Sequence, residues 1–354
     1  MIPNLEVIEP IINFRKTKYD KLSELIANSS MSGSKLNMFI NLDTVLDKFY
    51  APDILSAFKS LKGKELIIIT SELFNLVAHY RNFFWTRYKV KTTFYIYYLN
   101  RKVKLAGHKH YMESKLERKD LNHIDFGAVN YVFEKNMDLI SSISKYIKNC
   151  YFIPSNGLEP SVIPYYIIKK YSKDEECNLI MTSDKSEYNL TNLNNTFILR
   201  ATGKNSKILS KDDIYNYKFK NIKYKPNIKI STKLYPLILA MSGYKDRNIN
   251  AVSGFVQSCK IIESAINDYT ISNSYVVDPT VLYEYLSDDK LETFVKNYQC
   301  LDTERHYRLM KKVDQLKIEN NILDRYDNGA IVHLNSKYFE TNNIQLIELC
   351  KGVD

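Results

Sequence analysis

Short apolar runs alternate along this chain with longer stretches in which apolar residues recur at helical spacing. Residues 1–35 lack either pattern and end in SSMSGS, a linker composition. KLNMFINL then predicts a buried strand. APDILSAFKSLK (51–62) predicts a helix, with Pro52 near its start and Gly63 just past its end. ELIIIT predicts a buried strand, 72–88 a helix, TTFYIYYL a strand and 129–149 a helix. CYFIP, NLIMTS and TFILRA predict strands, separated by helices at 158–172 and 184–193. After about residue 230 strand signals fade, and 234–242, 255–268, 280–299, 302–321 and 343–350 predict helices.

Short buried strands separated by helices imply an α/β domain with a largely parallel sheet. The expected division is an irregular extension (1–35), the α/β domain flanked by helices (36–230) and a helical C-terminal region (231–354). In such sheets ligands bind beyond the carboxyl ends of the strands. That directs attention to 41–43, 70–72, 154–159 and 183–187.

Composition narrows the picture. The chain has 354 residues, 45% hydrophobic and 25% charged, an ordinary globular balance. No run approaches the ~18–20 apolar residues of a membrane span. The opening MIPNLEVIEPIINF is broken by Pro and Glu where a signal peptide needs an unbroken apolar run. The expectation is an intracellular protein, in a host cytoplasm or a virion, neither secreted nor partnered with a membrane. The five cysteines form no CxxC pair, so buried reduced thiols are expected. His108 and His110, in GHKH, have no third metal ligand nearby in sequence. With 10 glycines there is no GxGxxG and no Walker A loop.

Lysine outnumbers arginine 40 to 10, and Asn, Ile and Tyr abound. These residues have AT-rich codons, which points to the genome of a phage or other large virus. The net charge of +10 can attract nucleic acid or serve solubility alone. The stretch 211–229 interleaves Lys with Tyr and Phe, as a phosphate-and-base surface or an exposed hairpin would.

Three segments, in order, resemble the flap endonuclease and 5′→3′ exonuclease family, a PIN-like fold, particularly its phage members. GLEPSVIPYYIIKKYSKDEECNLIMTSDKSEYNLTN (157–192) is similar to a Gly-aromatic-Glu-Ala-Asp-Asp-Val helix start followed by a strand ending in Asp-Lys-Asp. Gly157, Glu159, Val162, Asp184, Lys185 and Leu190 match. LILAMSGYKDRNINAVSGFVQSCKIIESAI (237–266) resembles the family's Gly-Asp-x-x-Asp-Asn-Ile-Pro-Gly-Val-x-Gly-Ile-Gly segment, which opens a helix–three-turn–helix DNA-binding element. Gly243, Asn248, Ile249, Val252 and Gly254 match. MFINLDTVL (38–46) resembles the family's first strand, and NSKYFETNNIQLIELCKG echoes the ends of phage members.

The resemblance implies phosphodiester hydrolysis by two divalent metals, Mg or Mn, held by a crowd of carboxylates. The carboxylates are largely missing. Asn41 stands at the first-strand Asp, and Thr70 and Ser71 follow ELIIIT, with Glu72 one step later. Glu159 remains, but Pro160, Ser161 and Val162 follow it. Asp184 remains, with Ser186 for its partner, while Tyr244 and Arg247 fill the acidic positions of the later motif. The remnant metal ligands are therefore Glu159 and Asp184, with Asp43, Glu72, Asp246 or Glu187 as compensators after a register slip. Each remnant also has a structural reading, Glu159 as a helix-start charge and Asp184 as an N-cap.

The implied DNA hairpin has Ala251, Ser253, Val256 and Gln257 where Gly and Pro are usual, and a positive φ at Val256 would be costly. Lys245, Arg247 and Gly254 are its candidate nucleic-acid contacts. In YRNFFWTRYKVKTTFYIYY (80–98), Arg81, Arg87, Lys89 and Lys91 stand among aromatic residues, as in the family's strand-threading region; an amphipathic helix explains them equally. The expectation is a non-cleaving nuclease-like phage protein, a nucleic-acid-binding or structural subunit with viral protein partners and salt-sensitive DNA contacts. The alternatives are an active 5′ nuclease with rearranged carboxylates and a virion protein with no DNA role.

Overall fold

A computed structural model describes residues 35–46, 65–99, 136–145, 147–155, 157–174, 176–200, 207–214, 232–244, 249–269 and 279–323. The expected helices 51–62 and 343–350, most of 211–229, and Lys245, Asp246 and Arg247 lie outside the described residues.

The chain runs β1 (Lys35–Asn41), α1 (Leu42–Leu46), α2 (Glu65–Tyr88), β2 (Lys91–Tyr98), helix α3 (136–144), β3 (Cys150–Pro154), α4 (Val162–Tyr171) and β4 (Cys177–Met181). A 3₁₀ turn (Lys185–Asn192), β5 (Thr196–Arg200) and β6 (Lys207–Leu209) follow. Then come α5 (Tyr235–Ser242), α6 (Phe255–Tyr269), a 3₁₀ segment (Pro279–Tyr285), α7 (Asp288–Leu301), α8 (Thr303–Leu309) and α9 (Lys312–Leu323).

The sheet order is β3-β2-β1-β4-β5-β6, with β1 to β5 parallel and β6 antiparallel. From β1 the chain adds strands on one side through β3, then crosses to the other side at β4. The switch point therefore lies between β1 and β4, where open α/β sheets bind ligands.

Side chains alternate across each strand. Met38, Ile40, Phe94, Ile96, Leu179 and Met181 face a core made with α2 and α3. Phe39, Tyr97, Ile153, Ile180 and Ile198 face a second core with α4 and the helices after residue 232. Burial on both faces explains why these strands read as continuous apolar runs.

Four expected elements differ. ELIIIT is not a strand but the start of the 24-residue helix α2. Ile69, Leu73, Val77, Tyr80 and Phe84 continue one apolar stripe through it, all buried. The second parallel strand is TTFYIYY, so Glu72 follows no strand and lies within α2. Expected helix 184–193 is a 3₁₀ turn. Expected helix 280–299 divides at Leu286–Ser287. Expected helix 302–321 breaks at Met310–Lys311, and Asp302 caps its first part by accepting from the backbone N–H of Glu304 and Arg305.

Candidate functional site

Glu187 lies in the 3₁₀ turn that follows β4 and is fully buried. An ionised carboxylate buried this way is costly unless its oxygens are hydrogen-bonded. Asn41, the last residue of β1, donates its Nδ2–H to Oε1 at 2.8 Å. Tyr97, near the end of β2, donates its hydroxyl to Oε2, also at 2.8 Å. A carboxylate only accepts, so the Asn41 amide must turn its nitrogen towards it. Its own Oδ1 is buried without a hydrogen-bond partner.

Burial first, and then the neighbouring Glu187 carboxylate, push the Tyr97 phenol well above its ordinary range, so it remains a proton donor. The charges of Asp184 and Asp43 act on it in the same direction. Three acids, Asp43 in α1 and Asp184 and Glu187 at the 3₁₀ turn after β4, thus act on one phenol. Asp43 accepts from the backbone N–H of Leu99 at 3.2 Å.

Asp184 is the N-cap of the 3₁₀ turn, as its structural reading expects. Its Oδ1 accepts from Ser186 N–H (2.9 Å), Ser186 Oγ (2.7 Å) and Tyr244 Oη (3.1 Å). Tyr244 Oη in turn accepts from Lys185 N–H at 2.9 Å. Tyr244 is held by a two-way backbone bridge to Ile249, after Gly243 has turned the chain at φ +76. A Cβ on Gly243 would sit 2.8 Å from Ala251 N, so this matched glycine is demanded by packing.

At four positions where the resemblance implies an acid, a neutral side chain makes a hydrogen bond. Asn41 holds Glu187; Ser186 and Tyr244 both hold Asp184; Ser161 pairs with Thr303 Oγ1 at 2.9 Å, tying α4 to α8. Val162, next to Ser161, is buried in the core. This donor set does not suit a pair of magnesium ions, which need several ionised oxygens open to them. Among the described residues no group of three or more His, Cys, Asp or Glu side chains is placed to hold a metal.

The remaining candidates are scattered. Glu159 is buried in the loop between β3 and α4. Glu72 is half-buried in α2, and burial alone raises its pKa. Arg81, Arg87, Lys89 and Lys91 lie at the other pole, where α2 ends and β2 begins. Val256 is in the first turn of α6, exposed, and among the described residues only Lys89, Asn149 and Asn195 have positive φ without being glycine. The expected strain at Val256 is therefore absent. Gly254 is exposed, and nothing lies within 4 Å of where a Cβ would be.

Sequence reasoning ranked Glu187 only as a register-slip compensator. The signal that would have promoted it is its position three residues beyond Asp184, within the first turn of the segment after β4.

A central strand with a switch point beside it, acids at the carboxyl pole and a helical continuation define the PIN-like α/β architecture of 5′ nucleases. Among solved structures the chain is similar to the D15 protein of bacteriophage T5 co-crystallised with metal ions, at TM-score 0.52 and 12% identity over 82% of this chain and 99% of that one. It is similar, with the same figures, to T5 5′-exonuclease with divalent zinc bound. The likeness establishes the 5′ nuclease fold. No family model and no curated protein matches the chain.

Proposed function

We propose that this chain is a 5′-nuclease-fold protein that no longer cleaves, and that it serves as a nucleic-acid-binding subunit of a viral, phage-type assembly. The observation that carries this is the internal satisfaction of the acid cluster. Asn41, Ser186 and Tyr244 stand at positions of implied acids and donate hydrogen bonds to the acids that remain. Carboxylates crowded together repel one another and call for cations. Carboxylates met by neutral donors do not, so the site holds without metal.

A second reading has one observation in its favour. Asp43, Asp184 and Glu187 all act on Tyr97, so three acids still share the pole. Holding a single divalent ion, Mg or Mn, would require these three to draw closer together than they stand.

The test is incubation with 5′-flap and nicked DNA in Mg²⁺ or Mn²⁺, with melting temperature measured alongside. The wild type is expected to leave DNA intact and to melt at the same temperature with or without Mn²⁺. The double variant Asn41→Asp, Tyr244→Asp restores two carboxylates; it should melt lower than wild type without Mn²⁺ and recover with it. Cleavage by the wild type that Asp184→Ala abolishes would overturn the proposal.

A further inference from the structure

The basic and aromatic residues of 81–91, which resemble the family's strand-threading region, close a helix and open a strand, as the amphipathic-helix reading expects. Lys91 opens β2 and pairs in register with Lys35, which opens β1. Asn41 and Tyr97 close the same strands, about 20 Å further along. The segment therefore lies at the amino pole of the sheet, opposite the acid cluster.

Among the described residues, Lys35, Arg87, Lys89, Lys91 and Lys148 are exposed cations at this pole. None of the five forms an ion pair among the described residues. Arg81 is tied back, donating to the Lys148 carbonyl and lying 5.5 Å over the Phe94 ring. The acids at this end are engaged elsewhere: Glu176 is buried and accepts from Asn37, and Asp174 accepts from Asn194. Among the described residues the exposed cations therefore outnumber the acids at this pole, in a chain of net charge +10.

Rings stand among the cations. Arg87 lies over Phe83 and Tyr88, at 5.8 and 5.7 Å, while Lys89 lies 5.7 Å from the Trp85 ring centre. Phe83 and Tyr88 pack on the core beneath. Trp85 is partly exposed and, among the described residues, belongs to none of the hydrophobic clusters. A partly exposed indole with Lys89 against it and further exposed cations on the same pole has the chemistry of a base-stacking platform with phosphate contacts nearby.

We infer that the amino pole around Trp85 binds single-stranded nucleic acid, at a surface separate from the acid cluster. This rests on the proposed nucleic-acid role, and it assigns that role a location and a strand state. A duplex hides its base faces in the stack, so the ring contributes only to an unpaired strand.

Trp85 is the only tryptophan in the chain, so its fluorescence reports on this site alone. The experiment titrates full-length protein with oligo(dT), oligo(U), duplex DNA of equal length and poly-glutamate, following Trp emission and, for labelled strands, anisotropy. The expected result is saturable quenching by either single strand, DNA or RNA. Affinity should fall roughly a hundredfold between about 50 and 200 mM salt if the five cations each neutralise one phosphate. Arg87→Glu with Lys89→Glu should weaken binding at least about tenfold. Because these side chains are exposed, the far-ultraviolet spectrum of the variant should match wild type. Anisotropy that rises without quenching would overturn this site while leaving the proposed function standing. Absence of any anisotropy change at low salt would overturn both. Equal quenching by duplex or by poly-glutamate would overturn the single-strand assignment.

Discussion

Tyr97 shows how much of the acid cluster rests on one proton. Its hydroxyl donates to a fully buried carboxylate, and both burial and that carboxylate raise its pKa. In the unfolded chain the same tyrosine ionises near its ordinary value of about 10. The stability it supplies is therefore complete below that value. It drains away as pH rises towards the higher native value, because the unfolded state releases the proton first. Tyr97→Phe removes the donor and should cost about 1–3 kcal/mol at neutral pH. Urea midpoints from about pH 8 to about pH 11 should show the gap between wild type and variant narrowing at the alkaline end. A gap that stays constant would mean Tyr97 does not hold its proton against Glu187.

At the scale of elements, two matched glycines make opposite demands. Gly243 ends α5 with φ +76, and a Cβ there meets Ala251 N at 2.8 Å and Ala251 Cα at 3.0 Å. Gly254 precedes α6 in open space. Gly243→Ala should lower stability by about 1–3 kcal/mol, through strain and contact together. Gly254→Ala should change it by less than about 0.5 kcal/mol. Urea denaturation of the two variants checks both, and a similar cost for each would mean the α5–α6 turn is not built as described. The glycine pattern in the sequence marked both positions but could not rank them, since the demand on Gly243 comes from residues eight positions away.

Strands were legible for a related reason. Met38 to Ile40, Phe94 to Tyr97 and Leu179 to Met181 are buried on both faces, so each reads as a bounded apolar run. ELIIIT reads the same way yet is helical, because a short apolar run does not reveal its own period. Only its continuity with the stripe through Leu73 and Val77 decides the matter. The site was half legible. Asp184 stands out at the end of its strand, but its bond to Tyr244 and that of Asn41 to Glu187 span 60 and 146 positions. Such pairs exist only once the strand order is known.

For the molecule as a whole, described elements on either side of residue 230 share one core. One hydrophobic cluster runs from Phe39, Ile180 and Ile198 of the sheet through Leu237 and Met241 of α5 to Ile262, Phe294 and Ile318. Polar ties follow the same path. Tyr244 reaches Asp184, Ser161 meets Thr303, and Asn297 donates to the carbonyls of Ala240 and Asn250. A helical region that buries its apolar face on the sheet has no separate core to retain when the sheet opens. The two regions should therefore unfold together. Cysteines placed on both sides allow the test: Cys150 and Cys177 lie in the sheet, Cys259 and Cys300 in α6 and α7, all buried and in no disulfide. Thiol labelling across a urea series, read peptide by peptide, should give one midpoint for all four. If Cys259 and Cys300 become reactive at clearly lower urea than Cys150 and Cys177, the helices form a unit of their own, docked on the sheet rather than completing it.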